Sequence, residues 1–239
     1  MRHWTSHLLM IAAVCAVVLF TNLGSSRLWD RDEPRNAGCA QEMMERGNLI
    51  VPVFNDELRA QKPVLLYWLM IGAYQIFGVS EFAARFWSAM LATGTVLATW
   101  AIARRLFNPS AALYAAIVLA TSMMFVVAGR AATPDSVLIF CSTVALMFYV
   151  LGTFSPRKNP ADAARMRWEG YYFPQDYRYV LAMYGMMGLG VLAKGPAGFL
   201  VPCAIIGMFM LIQRLPTQDN DTWNQRGWLA RFVVSLVRP

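Results

Sequence analysis

The 239-residue sequence is poor in charge and in most of the side chains that soluble catalysts use. Only 15% of its residues are Asp, Glu, Lys or Arg, and 57% are apolar, with a mean hydropathy of +0.42. A soluble domain carries about a quarter charged residues, so this composition is that of a membrane protein. There are two histidines, His3 and His7, both in the N-terminal tail. The four cysteines, Cys15, Cys39, Cys141 and Cys203, are far apart and form no CxxC pair, which argues against a disulfide framework or a zinc site. A Gly-rich phosphate loop, HExxH and GxSxG are absent, which speaks against soluble nucleotide chemistry and the common hydrolase mechanisms. The formal charge is +7, but 21 basic residues spread thinly between apolar runs make no basic face. Nucleic acid is therefore not an expected partner, and the basic residues read as topology signals.

What the sequence does have is a series of apolar runs. Crossing a hydrocarbon core of about 30 Å takes roughly 20 helical residues. Residues 8–24, 82–103, 110–128, 137–154, 179–193 and 197–212 approach or meet that length. The small residues Gly24, Ser25 and Ser26 also fit a cleavable signal peptide, but the number of later spans favours a signal anchor. Parity settles the role of residues 64–79. If that run crossed, Arg104, Arg105 and the basic residues of 155–178 would share a side with the polar stretch 25–62. If it does not, they join the N-terminal tail, Arg214, Arg226, Arg231 and Arg238, as the positive-inside rule prefers. The run 64–79 is therefore expected to lie at or dip into the interface.

Residues 34–46 read as a second interfacial helix, with Asp32 and Glu33 at its start and Gly47 at its stop. The expected fold is all-α: a polytopic helical membrane protein with about six transmembrane helices and two juxtamembrane helices in an outer loop over 25–80. Residues 1–214 form this module, and 215–239 are expected to be a cytoplasmic segment.

Four clusters could carry chemistry. Asp30-Arg31-Asp32-Glu33-Pro34-Arg35 places three carboxylates and two guanidiniums just beyond the first span, where a carboxylate can act as base or hold a divalent cation and an arginine can grip phosphate. The competing reading is that Asp32 only caps the following helix. Gln61-Lys62-Pro63 leads into Tyr67 and Trp68, which suit the headgroup level either as ligand contacts or as plain anchors. Arg130 and Asp135 flank the Thr133-Pro134 corner, and Asp135 can alternatively serve the helix dipole. Lys194 sits in a Lys-Gly-Pro corner between two short apolar runs, as a functional cation or a snorkelling one.

In order, Asp32-Glu33-Pro34-Arg35, Lys62-Pro63 with Leu65-Leu66-Tyr67-Trp68, Phe77-Gly78, Glu81-Phe82-Ala83-Ala84-Arg85, Ala103-Arg104-Arg105-Leu106-Phe107, Ala132-Thr133-Pro134-Asp135 and Lys194-Gly195-Pro196 resemble the N-terminal half of a GT-C class glycosyltransferase. The resemblance is to the polyprenyl-phosphate-sugar-dependent transferases that modify lipid A with aminoarabinose and to protein O-mannosyltransferase-like relatives. It implies transfer of 4-amino-4-deoxy-arabinose, mannose or a similar sugar from a polyprenyl phosphate to lipid A, protein or a glycan. Transfer would occur with inversion, at the outer face of the plasma (inner) membrane. It implies Asp32 and Asp135 as catalytic residues and Glu33, Arg35, Lys62, Tyr67, Arg130 and Lys194 as substrate-binding ones. No organic cofactor is implied. A divalent metal is left open, because Gln61 stands where many aminoarabinose transferases have Glu. Such families carry about twice as many spans plus a soluble outer domain, so the chain is expected to be a truncated gene product, an N-terminal module or a fragment, and inactivity of the isolated chain is left open beside the enzymatic reading. A polytopic transporter or flippase and a non-catalytic lipid-binding scaffold are the alternatives, and the scarcity of charge inside the spans favours the enzyme.

Overall fold

A computed structural model describes residues 2–29, 32–154, 173–174 and 176–214 of the chain. The expected cytoplasmic segment 215–239, most of the basic loop 155–178, and Asp30 and Arg31 lie outside the described residues.

The chain is a polytopic helical membrane protein. Among the described residues, α1 (Arg2–Cys15) continues through a π-helical turn, Ala16–Phe20, so the first apolar run is helical from its polar tail onward. Next come α2 (Asp32–Glu45), a two-residue hairpin of β1 (Val53–Phe54) and β2 (Glu57–Leu58), and α3 (Leu65–Phe77). They are followed by α4 (Glu81–Leu106), α5 (Pro109–Thr121), α6 (Met123–Arg130), α7 (Pro134–Thr153), α8 (Tyr177–Lys194) and α9 (Ala197–Arg214).

The boundaries follow local chemistry. The Ser80 hydroxyl accepts from the Ala83 N–H at the start of α4, and the Asn108 side chain accepts from Ala111 N–H, with Pro109 supplying a preset φ in the first turn of α5. Gly47, Gly78 and Gly195 end α2, α3 and α8 with positive φ, the left-handed geometry a helix end favours. The hairpin turns on Asn55 and Asp56, both at positive φ, in the manner of a type I′ turn. It is the one departure from an all-α layout among the described residues, too short for its hydrophobic pattern to announce it.

Helices α4 and α7 are long and apolar enough to cross a membrane, with mean hydropathies of 1.4 and 2.0. The expected span 110–128 is not one straight helix. It breaks at Ser122, where α5 and α6 meet at 64°. Ser122 has an extended backbone, so the ladder of i to i−4 bonds is interrupted there, and α6 turns away with Met123 and Met124 exposed. Trp4–Phe20 and Ala197–Ile212 are shorter apolar helices.

The helices run between two ends. At one, the Arg104 guanidinium lies 3.1 Å from the centre of the Trp4 ring, which joins the start of α1 to the end of α4. Gly152 near the end of α7 packs on Tyr179 at the start of α8, and Phe154 meets Phe209 near the end of α9. At the other end, Gly24 packs on Phe82 and Lys194 pairs with Asp135. Between the ends, α1, α4 and α5 share a core of Ile11, Cys15, Leu19, Ala92, Val96, Ala112 and Ala116. Small residues let these backbones approach closely, as in membrane bundles generally.

Helices α2 and α3 pack on one end only. Met43, Tyr67, Met70 and Tyr74 are buried with Ala83 and Ala84 of the first turn of α4, Val137 and Cys141 of α7, and Ala193 at the end of α8. Neither helix runs down the side of the bundle, and both form a platform over the end that carries Asp135 and Lys194.

Candidate functional site

The platform places the sequence-derived residues at one end of the bundle but gives them different surroundings. Asp32 opens α2 with its side chain 49% exposed, and its carboxylate accepts from Lys62 Nζ at 2.8 Å. That hydrogen bond, with Coulombic help from Lys62, Arg59 and Arg35, holds the Asp32 carboxyl below the usual aspartate range despite slight burial. It is a carboxylate kept ionised and within reach of a ligand.

Arg35, one turn along α2, is exposed and lines a cavity of about 390 Å³ with Phe54, Asn55, Glu57, Leu58, Arg59 and Gln61. Arg59 is buried. Its Nη2 donates to Asn36 Oδ1 at 3.1 Å, while its buried Nε has no acceptor. The basic groups beside Asp32 and the neutral amide of Gln61 suit an anion better than a divalent cation. Among the described residues no three His, Cys, Asp or Glu side chains come together.

Glu33, next to Asp32 in sequence, is 1% exposed. It accepts from Arg85 Nε at 3.0 Å and Nη2 at 2.7 Å, from Ala132 N–H at 2.7 Å and from Trp29 N–H at 3.0 Å. Burial pushes its pKa up, but these donors outweigh burial and hold the carboxyl below the usual glutamate range. Expected as a substrate contact, Glu33 here gives its carboxylate to protein donors and, with Arg85 and Arg130, lines a second cavity of about 310 Å³.

Tyr67 likewise is buried in protein. It is 1% exposed, between α2 and α3, where burial drives its hydroxyl pKa up to about 12. Cys39 and Arg59 lie near that hydroxyl, which makes no hydrogen bond of ordinary geometry. The neighbouring Trp68 takes the exposed position, its indole N–H donating to Leu49 O at 2.7 Å. The local stripe decides this, because Tyr67, Met70, Ile71 and Tyr74 share the face that α2 covers, and Trp68 falls outside it.

Arg130 donates to Val18 O and Thr21 O, both at 2.8 Å, and so satisfies carbonyls at the end of the π-helical turn that extends α1. Asp135 and Lys194 form an ion pair in which both side chains are about half exposed. The corner before Asp135 docks on α2, where Ala132 N–H bonds to Glu33 and Ala132 O accepts from Asn36 Nδ2 at 3.0 Å. The Asp32–Lys62 and Asp135–Lys194 pairs therefore belong to elements joined directly at Ala132.

Three participants carry no assigned role in the sequence reading: Arg85, quoted there only as part of a motif, Asn36 and Arg59. For Arg85 a signal existed, since an arginine one turn into an apolar helix demands a partner. Asn36 and Arg59 carried none, because a lone amide and a lone arginine in a polar loop look like solvated residues.

Residues 61–159 match the family model described as dolichyl-phosphate-mannose-protein mannosyltransferase. The chain is 32% identical over 89% of its length to an undecaprenyl phosphate-alpha-4-amino-4-deoxy-L-arabinose arabinosyl transferase of Pseudomonas fluorescens, covering 36% of that protein. It is 28% identical over 90% of its length to the protein of the same description from Shewanella sediminis, again covering 36%. The crystal structure of ArnT from Cupriavidus metallidurans bound to undecaprenyl phosphate superposes with a TM-score of 0.74 at 26% identity, over 97% of this chain and 39% of that one. The chain spans about two fifths of the length of the curated relatives it matches, or less.

Proposed function

We propose that the chain belongs with the GT-C class glycosyltransferases of the aminoarabinose-transferase and protein O-mannosyltransferase-like family, and that it supplies the donor-phosphate and catalytic groups of a membrane sugar transfer. The donor is a sugar, 4-amino-4-deoxy-arabinose, mannose or similar, linked to a polyprenyl phosphate. The acceptor is an oxygen of lipid A, a protein or a glycan.

In the transfer, the bond between the anomeric carbon and the phosphate oxygen breaks while the acceptor oxygen attacks from the opposite face, which inverts the centre. The electron pair leaves with the polyprenyl phosphate. Lys62 and Arg35 neutralise the charge that grows on that leaving group, with preorganised cations at the membrane boundary. Asp32 orients the acceptor and takes its proton where the acceptor is a hydroxyl, and Asp135 is the second acidic group of the same cavity. Lys194 pairs with Asp135 and sets its direction. Glu33 and Tyr67 act from behind the surface and Arg130 from its edge, holding the elements that carry these groups.

One observation carries the reading: Asp32 is half exposed and held ionised by Lys62, beside a cavity lined by Arg35 and Arg59. The names of the relatives support the polyprenyl-phosphate donor. The platform end faces outward from the plasma (inner) membrane, which is supported by Arg104, Arg105 and Arg178 gathering at the opposite end.

The test is transfer of labelled sugar from a polyprenyl-phosphate donor in membranes that carry the protein. Asp32→Asn is expected to reduce transfer by on the order of a hundredfold or more while the protein still unfolds cooperatively. Unimpaired transfer by that variant removes Asp32 from the mechanism. Donor binding with no transfer by the unaltered protein overturns the catalytic reading.

A further inference from the structure

The most densely bonded group at the platform is not one of the exposed carboxylates. Arg85 clasps both oxygens of Glu33 and also donates from Nη1 to Leu23 O at 3.1 Å and Ser26 O at 2.9 Å, and from Nη2 to Arg27 O at 3.1 Å. It is 4% exposed. The loop after the π-helical turn that extends α1, the start of α2 and the start of α4 thus meet on one guanidinium.

The fourth partner is the corner before α7. Glu33 Oε1 takes the N–H of Ala132, and Asn36, on the same face of α2 one turn later, donates to the carbonyl of that residue. Both polar groups of one buried backbone unit are therefore clamped to α2. Asp32 directly precedes Glu33, and Asp135 follows Ala132 by three residues, across Pro134 with its restricted φ.

We infer that Glu33 and Arg85 are positioning residues whose buried pair sets the spacing between the elements that carry Asp32 and Asp135. The catalytic consequence rests on the glycosyltransferase reading, whereas the geometric claim does not. The two side chains are 1% and 4% exposed and spend their polar atoms on protein partners, which assigns them to positioning. The pair is shielded from salt and water and so behaves as a rigid link, unlike the half-exposed Asp32–Lys62 and Asp135–Lys194 pairs. Arginine is required by shape: its fork meets both carboxylate oxygens and three carbonyls, which a lysine ammonium cannot do.

The experiment measures spacing and rate on the full chain. Spin labels at Asn55→Cys beside α2 and Thr133→Cys beside Asp135, with Cys203→Ser, report the distance by pulsed electron resonance. The parent is expected to give one narrow distribution. Arg85→Lys, Glu33→Gln and the shortened but charged Glu33→Asp are each expected to broaden or shift it, and the Arg85→Lys/Glu33→Gln double variant to add little more. In the transfer assay the same variants are expected to lose on the order of a hundredfold in kcat, with donor KM changed by less than about twofold. Unchanged distances in all variants, or a raised KM at intact kcat, overturn the proposal. If the parent shows no transfer, the glycosyltransferase reading fails and the distances alone decide the positioning claim.

Discussion

Two adjacent carboxylates, Asp32 and Glu33, divide the labour of the site because their environments differ. Asp32 is half exposed and held ionised chiefly by one hydrogen bond from Lys62. Removing that donor in Lys62→Gln raises the Asp32 pKa toward the usual value, so the acidic limb of the transfer rate is expected to move to higher pH. A pH profile of the variant beside the parent checks this, and an unmoved limb would show that Asp32 is not the group titrating. Glu33 is buried with four donors, and its folded pKa lies below the usual 4.5. A depressed folded pKa contributes stability that is present above the unfolded value and lost as pH falls through the folded one. The melting temperature in detergent is thus expected to fall below about pH 4.5, and Glu33→Gln to weaken that acid dependence while lowering stability at neutral pH. Arg85→Met, which strands Glu33, is expected to cost about 3–5 kcal/mol in unfolding measurements. Tyr67→Phe removes a buried hydroxyl without an ordinary hydrogen bond, and is expected to leave stability equal or higher and donor affinity unchanged.

At the scale of elements, close approach decides what the apolar runs become. Helices α8 and α9 cross where Gly198 lies against the backbone of Gly190 and Val191, so any side chain at Gly198 meets main chain rather than a movable group. Gly198→Ala is expected to force the helices apart and lower stability by about 1–3 kcal/mol, the usual cost of overpacking. Gly207→Ala in the same helix, with open space around it, is expected to be neutral. Thermal unfolding of the two variants side by side tests the contrast. The break at Ser122 is a second example. Run length suggested one span over 110–128, and the extended backbone at Ser122 yields two helices at 64°. Hydropathy sums are blind to a single residue's dihedral angles, which is why the kink was not legible. The hairpin at Asn55 and Asp56 was hidden for a related reason: its strands have two residues each, too few for an alternating pattern.

At the scale of the molecule, the chain has two unlike ends. One carries Trp4, Arg104 and the start of α8, and the other carries the α2–α3 platform with its paired charges. A cysteine at Asn55 and one at Asn108 are therefore expected to react with an impermeant thiol reagent from opposite sides of the membrane, Asn55→Cys in intact cells and Asn108→Cys only after permeabilisation. Labelling of both from one side would overturn the orientation. Charge bias along the chain pointed to this arrangement, and α3, with 13 residues, is among the shorter apolar helices.

The sequence by itself determined that the chain is a helical membrane protein, where most helices start and stop, and which motifs meet at one end. Those properties depend on composition, caps and run length, which are local and additive. Only the tertiary structure decided which charged groups stay accessible. Asp32, Arg35, Asp135 and Lys194 remain accessible, while Glu33 and Tyr67, drawn from the same motifs, turn inward. Neighbours one residue apart point to different faces of a helix, and whether a face meets water or protein depends on a partner such as Arg85, 52 positions away. That distant choice of partner is a property of the packed chain, and no local pattern contains it.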